Sequence, residues 1–232
     1  MKNIIAASTS TVYGSGYLEY LLPEIECHFS GIDEVLFIAY ARAGGATHDE
    51  YTQRVQNALN VIGKKVVGLH EFHQPIKAIQ NAQAIFVGGG NTFLLVQQLY
   101  KNDLIAPLKE KLTLGTPYVG CSAGSNIVGL TMGTTNDMPI VQVPSYQTLG
   151  MLPFNINPHF LDKPIDSKHK GETREERIFE FHKHNIQPVI GLREGSWIEI
   201  KGDEIQLKGE LTAKWFEQGK EPIEISPGKI TL

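Results

Sequence analysis

Val119-Gly120-Cys121-Ser122-Ala123-Gly124-Ser125 is the stretch whose reading decides the fold. An apolar run (Pro117, Tyr118, Val119) leads into it, and a helix-compatible run (Asn126, Ile127, Val128) leaves it. Strand, sharp turn and helix, with Ser122 at the centre of Gly-x-Ser-x-Gly, is the pattern of a nucleophile elbow. There, small flanking residues permit a strained turn that lifts a hydroxyl clear of the sheet, above a helix N-terminus. The string alone also describes an ordinary glycine-rich loop after a strand. The partners available elsewhere in the chain separate the two.

Outward from the elbow, strand-like apolar runs alternate with amphipathic ones. Residues 3–7, 35–39, 65–69 and 84–87 read as strands, and the last runs into Gly88-Gly89-Gly90-Asn91-Thr92. Helical spacing covers 17–29, ended or interrupted at Pro23, then 49–59 with Thr47 or His48 near its cap, 76–82, 93–100 and 104–112. This alternation predicts a doubly wound α/β fold: a mostly parallel sheet with helices on both faces. After Gly171 the pattern changes. Residues 172–184 form a charged amphipathic helix and 189–192 a buried strand, followed by short β-like pieces at 197–200, 205–207, 213–216 and 223–225. These predict an antiparallel β appendage at the C-terminus, within a single domain spanning 1–232.

The 232 residues are 41% apolar and 20% charged, which suits one α/β domain with a sizeable core. A net charge of -4 without a basic stripe gives nucleic acid nothing to bind. Cys27 and Cys121 lie far apart in unrelated contexts, against a disulfide framework and for a reducing compartment. The opening apolar run is too short for a secretory signal, and no stretch of about 18 apolar residues occurs, so no membrane span is expected. The cytoplasm is the expected location. Monomer and homodimer stay equally open.

A serine hydroxyl needs a base within hydrogen-bond reach, a group that orients the base, and donors for an oxyanion. Seven of the eight histidines (His28, His48, His70, His73, His169, His182 and His184) sit in polar or amphipathic runs, as solvated or locally bonded side chains. His159 ends the apolar run Ile156-Asn157-Pro158-His159-Phe160, at the kind of strand end where α/β folds place functional groups. Two acids could orient it. Glu194 follows a buried strand and precedes a glycine, and Asp137 lies in a loop shortly after the elbow helix. For the oxyanion, the Ala123 N–H follows the serine, and Gly88, Gly89 and Gly90 offer unobstructed backbone amides. The charged segment 168–177 contains arginines, Arg174 and Arg177, suited to a carboxylate ligand. Cys121, off the centre of the glycine spacing, is expected to point into the core. No His-x-x-x-His or Cys/His cluster suggests a metal.

With these residues assembled, the chain resembles the peptidase E family of serine-type α-aspartyl dipeptidases. The matching motifs are Val87-Gly88-Gly89-Gly90-Asn91-Thr92-Phe93, Gly120-Cys121-Ser122-Ala123-Gly124, Thr134-Thr135-Asn136-Asp137-Met138-Pro139-Ile140, Ile156-Asn157-Pro158-His159-Phe160, His169-Lys170-Gly171-Glu172-Thr173-Arg174-Glu175 and Glu194-Gly195-x-Trp197-Ile198. The resemblance implies hydrolysis of Asp-Xaa dipeptides in the cytoplasm without metal or other cofactor, with Ser122 as nucleophile and His159 as base. It implies either Asp137 or Glu194 as the third member, Glu194 being preferred as the direct partner of His159. The fold it implies is similar to class I glutamine amidotransferases. Cys121 departs from the family pattern, in which some members carry a bulkier residue such as tryptophan. Two other readings share the fold: a cyanophycinase-like hydrolase of β-linked aspartyl–arginine, and a non-catalytic sensor with Cys121 as its reactive group.

Overall fold

Alternation of two buried faces along each strand builds the main sheet. The computed structural model describes residues 1–163 and 171–231. Strands β1 (Asn3–Ala7), β2 (Glu34–Ile38), β3 (Lys65–Gly68), β4 (Ala84–Val87) and β5 (Tyr118–Cys121) run parallel in the order β1-β5-β4-β2-β3. Ile5, Ala7, Phe37, Phe86, Val119 and Cys121 face a cluster with helices α1 (Leu22–His28) and α2 (His48–Asn60). Ile4, Ala6, Ile38, Ile85, Val87 and Tyr118 face the opposite cluster, with α3 (Pro75–Asn81), α4 (Thr92–Lys101) and α5 (Ile105–Leu114). Both faces are buried, which is why these strands read as continuous apolar runs.

Local chemistry fixes the helix ends. Thr47 caps α2 in a reciprocal box: its hydroxyl accepts from the Glu50 N–H while the Glu50 carboxylate accepts from the Thr47 N–H. Pro23 does not end a helix, as the spacing over 17–29 predicted. Glu19–Leu21 makes a 3-10 turn, and α1 starts at Leu22 with Pro23 in its first turn, where a missing N–H leaves no bond unmade.

The C-terminal strands pair antiparallel, as expected, and divide between two sheets. After α6 (Ala123–Asn126), β6 (Asn155–Asn157), α7 (Arg174–Phe181) and β7 (Val189–Gly191), the chain reaches β8 (Trp197–Lys201) and β9 (Glu204–Lys208). These two extend the main sheet antiparallel beyond β1. Strands β10 (Ala213–Phe216) and β11 (Ile223–Ile225) instead join a second sheet of order β11-β10-β7-β6. Then β12 (Gly228–Lys229), which the sequence pattern did not indicate, returns to pair with β9. The second sheet packs Ile156, Ile190, Ala213 and Trp215 into the cluster that also holds α3, α4 and α5. Helix α7 is shorter than the expected 172–184 and is capped by Thr173. Among the described residues, no helix is long and apolar enough to cross a membrane.

At the end of α1, His28 Nε2 lies 3.1 Å from the Tyr118 carbonyl of β5 and donates to it. Burial pulls this imidazole down to about 4, against the bond to Tyr118, which works in the opposite direction. The unfolded chain takes up this proton near the ordinary value of 6.5, the folded chain only near 4. Acidification through that window therefore favours unfolding, and His28's share of the loss is complete below it. His28→Gln keeps a donor and removes the titration. Its urea midpoint is expected to fall less between pH 7 and pH 4 than that of the wild type. Parallel falls would show that His28 does not contribute.

Candidate active site

Ser122 joins β5 to α6 with φ 55° and ψ -109°, a conformation that costs a serine roughly 1–3 kcal/mol. The surroundings leave it no alternative. A Cβ at Gly124 would stand 2.2 Å from the Val87 carbonyl oxygen, and one at Gly120 would stand 2.4 Å from that of Gly124. Buried bonds stitch the turn shut. The Tyr118 hydroxyl donates to Gly124 O at 2.6 Å, and the Ser122 N–H donates to Ala7 O at 3.0 Å. The Ser125 hydroxyl lies 2.6 Å from Ala7 O and 2.7 Å from Gly120 O. The helix that follows is a single turn. Cys121 points away, fully buried against the face that holds α1 and α2, and burial pushes its thiol pKa up.

The loop after β5 lies between those after β1 and β4, at the carboxyl ends of the strands. His159 enters from beyond β6 with φ 53°. Its N–H donates to Ser8 Oγ at 2.8 Å, and the Ser8 hydroxyl donates to Leu192 O at 2.6 Å. Phe160 N–H also donates to Leu192 O, and Leu192 N–H donates to Asn157 O. This ties the His159 loop to the chain that carries Glu194. His159 Nε2 is 2.8 Å from Ser122 Oγ, and Nδ1 is 2.6 Å from Glu194 Oε1. A carboxylate only accepts, so Nδ1 carries the proton and Nε2 is free to accept from the serine hydroxyl. The imidazole and the carboxylate are 34% and 42% exposed, so the pair faces solvent.

Asp137 lies elsewhere. Its carboxylate accepts from Thr92 N–H at 2.7 Å, Thr92 Oγ1 at 2.7 Å and Thr135 Oγ1 at 3.0 Å, pinning its loop to the start of α4. Asn91 Nδ2 holds the same loop through Met138 O at 2.8 Å.

Gly89 is where the serine comes closest to the glycine turn: a Cβ there would stand 3.0 Å from Ser122 Cβ and 3.6 Å from its Oγ. Gly90 has φ 143° and packs on Ala41, where a Cβ would meet the carbonyl oxygen at 2.2 Å. The N–H groups of Gly89, Gly90 and Ala123 donate to no acceptor among the described residues. The Tyr51 hydroxyl donates to Gly89 O at 3.3 Å, which orients the Gly89–Gly90 peptide. Arg174, at the start of α7, makes no ion pair among the described residues. Partial burial and Arg177 lower its pKa, and Asp137 opposes them. Arg177 is engaged with Glu172 at 3.5 Å. Lys168, His169 and Lys170 lie outside the described residues.

Sequence reasoning missed several residues that hold the site. Ser8, Ser125, Asn126 and Asn157 are buried polar side chains: the first three serve backbone groups of the elbow or of the segment leading to His159, and Asn157 ties that segment to the Thr134 carbonyl of the Asp137 loop. The one available clue was a small polar residue ending or interrupting an apolar run, as in Ala6-Ala7-Ser8 and Asn155-Ile156-Asn157.

The model of Peptidase family S51 matches residues 4–208. The chain is 46% identical over 226 residues to "Peptidase E" of Streptomyces coelicolor, covering 97% of this chain and 92% of the relative. It is 44% identical over 229 residues to the "Probable alpha-aspartyl dipeptidase" of Drosophila melanogaster, covering 97% and 94%. Among solved structures, a putative peptidase E protein from Listeria monocytogenes EGD-e matches with a TM-score of 0.67 at 22% identity, covering 90% of this chain and 98% of that one. A peptidase from an acI-B1 Actinobacterium matches with a TM-score of 0.70 at 16% identity, covering 100% and 97%. Both of these show the same fold.

Ser8→Ala leaves the His159 N–H and the Leu192 carbonyl short of one buried partner each. Stability is expected to drop by about 1–3 kcal/mol in urea unfolding. An unchanged midpoint would show that water replaces the hydroxyl.

Proposed function

The chain belongs to peptidase family S51, and from that premise we propose that it is a serine-type dipeptidase that hydrolyses Asp-Xaa dipeptides through an acyl-enzyme. The observation that carries the reading is the unbroken run of hydrogen bonds from Ser122 Oγ through His159 to Glu194. Ser122 attacks the peptide carbonyl while His159 Nε2 takes its proton, and Glu194 holds the imidazole in the required tautomer. The tetrahedral oxygen rests on the N–H groups of Ala123 and the Gly89, Gly90 turn, which donate to no acceptor among the described residues. His159 passes its proton to the leaving amine, and water, activated by the same imidazole, then hydrolyses the aspartyl ester.

Arg174 receives the aspartate side chain in this reading. It carries no ion pair among the described residues and stands near Asp137, whereas Arg177 is already paired. Asp137 then acts indirectly, by fixing the loop against α4 next to the glycine turn. Cys27 and Cys121 are both free thiols, which supports the cytoplasm as the working compartment.

The reading is tested by hydrolysis of Asp-Leu, Leu-Leu and isoAsp-Leu. Activity on Asp-Leu alone, reduced to background in Ser122→Ala, is the expected result. Glu194→Gln is expected to lower kcat by about 10³- to 10⁴-fold, and Asp137→Asn by far less. The reverse ranking would move the orienting role to Asp137. Arg174→Met is expected to penalise Asp-Leu far more than Ala-Leu. Equal losses on both would remove Arg174 from substrate recognition.

A further inference from the structure

Arg193 precedes Glu194 in the chain, yet its guanidinium serves the loop that follows His159. Nε and Nη2 donate to the two oxygens of Asp162 at 2.7 and 2.8 Å. Nη1 and Nη2 donate to the two oxygens of Glu224 on β11, both at 2.9 Å. Nη1 also lies 2.8 Å from both the Thr212 carbonyl and its hydroxyl. Every N–H of the fork therefore faces an acceptor, and the guanidinium lies 5.8 Å from the centre of the Phe160 ring.

The arginine side chain is only 16% exposed, while its two carboxylate partners are about half exposed. Exposed single ion pairs contribute little, but a bidentate fork bridging two carboxylates is geometrically specific. Arg193 lowers the pKa of both acids, chiefly through its hydrogen bonds to them.

The location of this clamp gives it a role. Backbone rungs through Leu192 hold Asn157 and Phe160, on either side of His159, to the Glu194 chain. Beyond Phe160, the Arg193–Asp162 pair adds a side-chain fastening between the same two segments, and Glu224 anchors it to the second sheet. Arg193 is the residue next to Glu194, so this fastening couples the backbone of Glu194 to the segment that carries His159. We propose that Arg193 is a positioning residue that sets the His159–Glu194 contact by clamping Asp162 against Glu224. The inference rests on the reading of His159 as base and Glu194 as its orienting acid.

The experiment compares Arg193→Gln, Arg193→Lys and Asp162→Asn with the wild type in the full chain. Two readouts are used: Asp-Leu kinetics, and the far-downfield proton NMR signal of the His159 Nδ1–H bonded to Glu194. Thermal unfolding selects the variants that remain folded. Arg193→Gln is expected to lose about 10²-fold in kcat with little change in KM, as a misplaced catalytic group does, and to lose or broaden the downfield signal. Arg193→Lys keeps the charge but cannot bridge both carboxylates bidentately, so it is expected to recover only part of either readout. If Arg193→Gln fails to fold, Asp162→Asn decides the matter, since it removes the bidentate carboxylate fastening beyond His159 while leaving Arg193 on Glu224. A folded variant with intact kcat and an intact downfield signal would overturn the proposal. A wild type inactive on every dipeptide would instead sink the dipeptidase reading, and the NMR comparison would still decide the positioning role.

Discussion

The site depends first on the turn at Ser122, where a left-handed backbone is held between β5 and α6. Strain of this kind persists only where neighbours over-determine it. Here the neighbours are the carbonyl of Val87 on β4 and that of Ala7 on β1, so the elbow is gripped from both flanking strands. Gly124 is required by the close approach of Val87, and Gly120 by the approach of Gly124 itself. The serine is thus placed by the sheet, and the one-turn helix after it adds little reach of its own.

Around that fixed point, the other groups arrive by different routes and are fastened separately. The glycine turn leaves β4 and seats on Ala41 and Tyr51. His159 is hung by its backbone N–H on Ser8, just past the end of β1, and the carboxylate comes from the crossing between β7 and β8. Asp137 and Thr92 form a third fastening, at the head of α4. The glycine turn, His159 and Asp137 are each fastened by hydrogen bonds that involve backbone groups, which give direction as well as energy.

How much of this was legible depended on the range of the information. The first five strands were readable because both faces are apolar and glycine-rich loops bound them. The elbow was readable from its glycines, and His159 stood out by ending an apolar run. Pairing partners were not readable. Alternation in Trp197-Ile198-Glu199-Ile200 marks two faces of a strand, but not that β8 lies beside β1 while β10 joins β7. The two acids could not be ranked from their own contexts, since each follows from contacts made by distant segments. Arg193 carries no local signal, because its partners Asp162 and Glu224 each lie 31 residues away. Ser8 and Ser125 are small and polar, and nothing local distinguishes a hydroxyl that serves a buried carbonyl from one in water.

The braided C-terminal segment has a temporal consequence. Strand β1 forms at the very start of the chain, yet one of its edges is completed only by β8, through pairings such as Asn3 with Lys201. The crossing that carries Glu194 immediately precedes that strand. Contacts of such sequence separation close late, because the loop entropy must be met before they form. On a ribosome the first strand of this sheet therefore waits, half paired, until β8 has emerged. Glu194, just before β8, therefore meets the His159 imidazole only in that same late step.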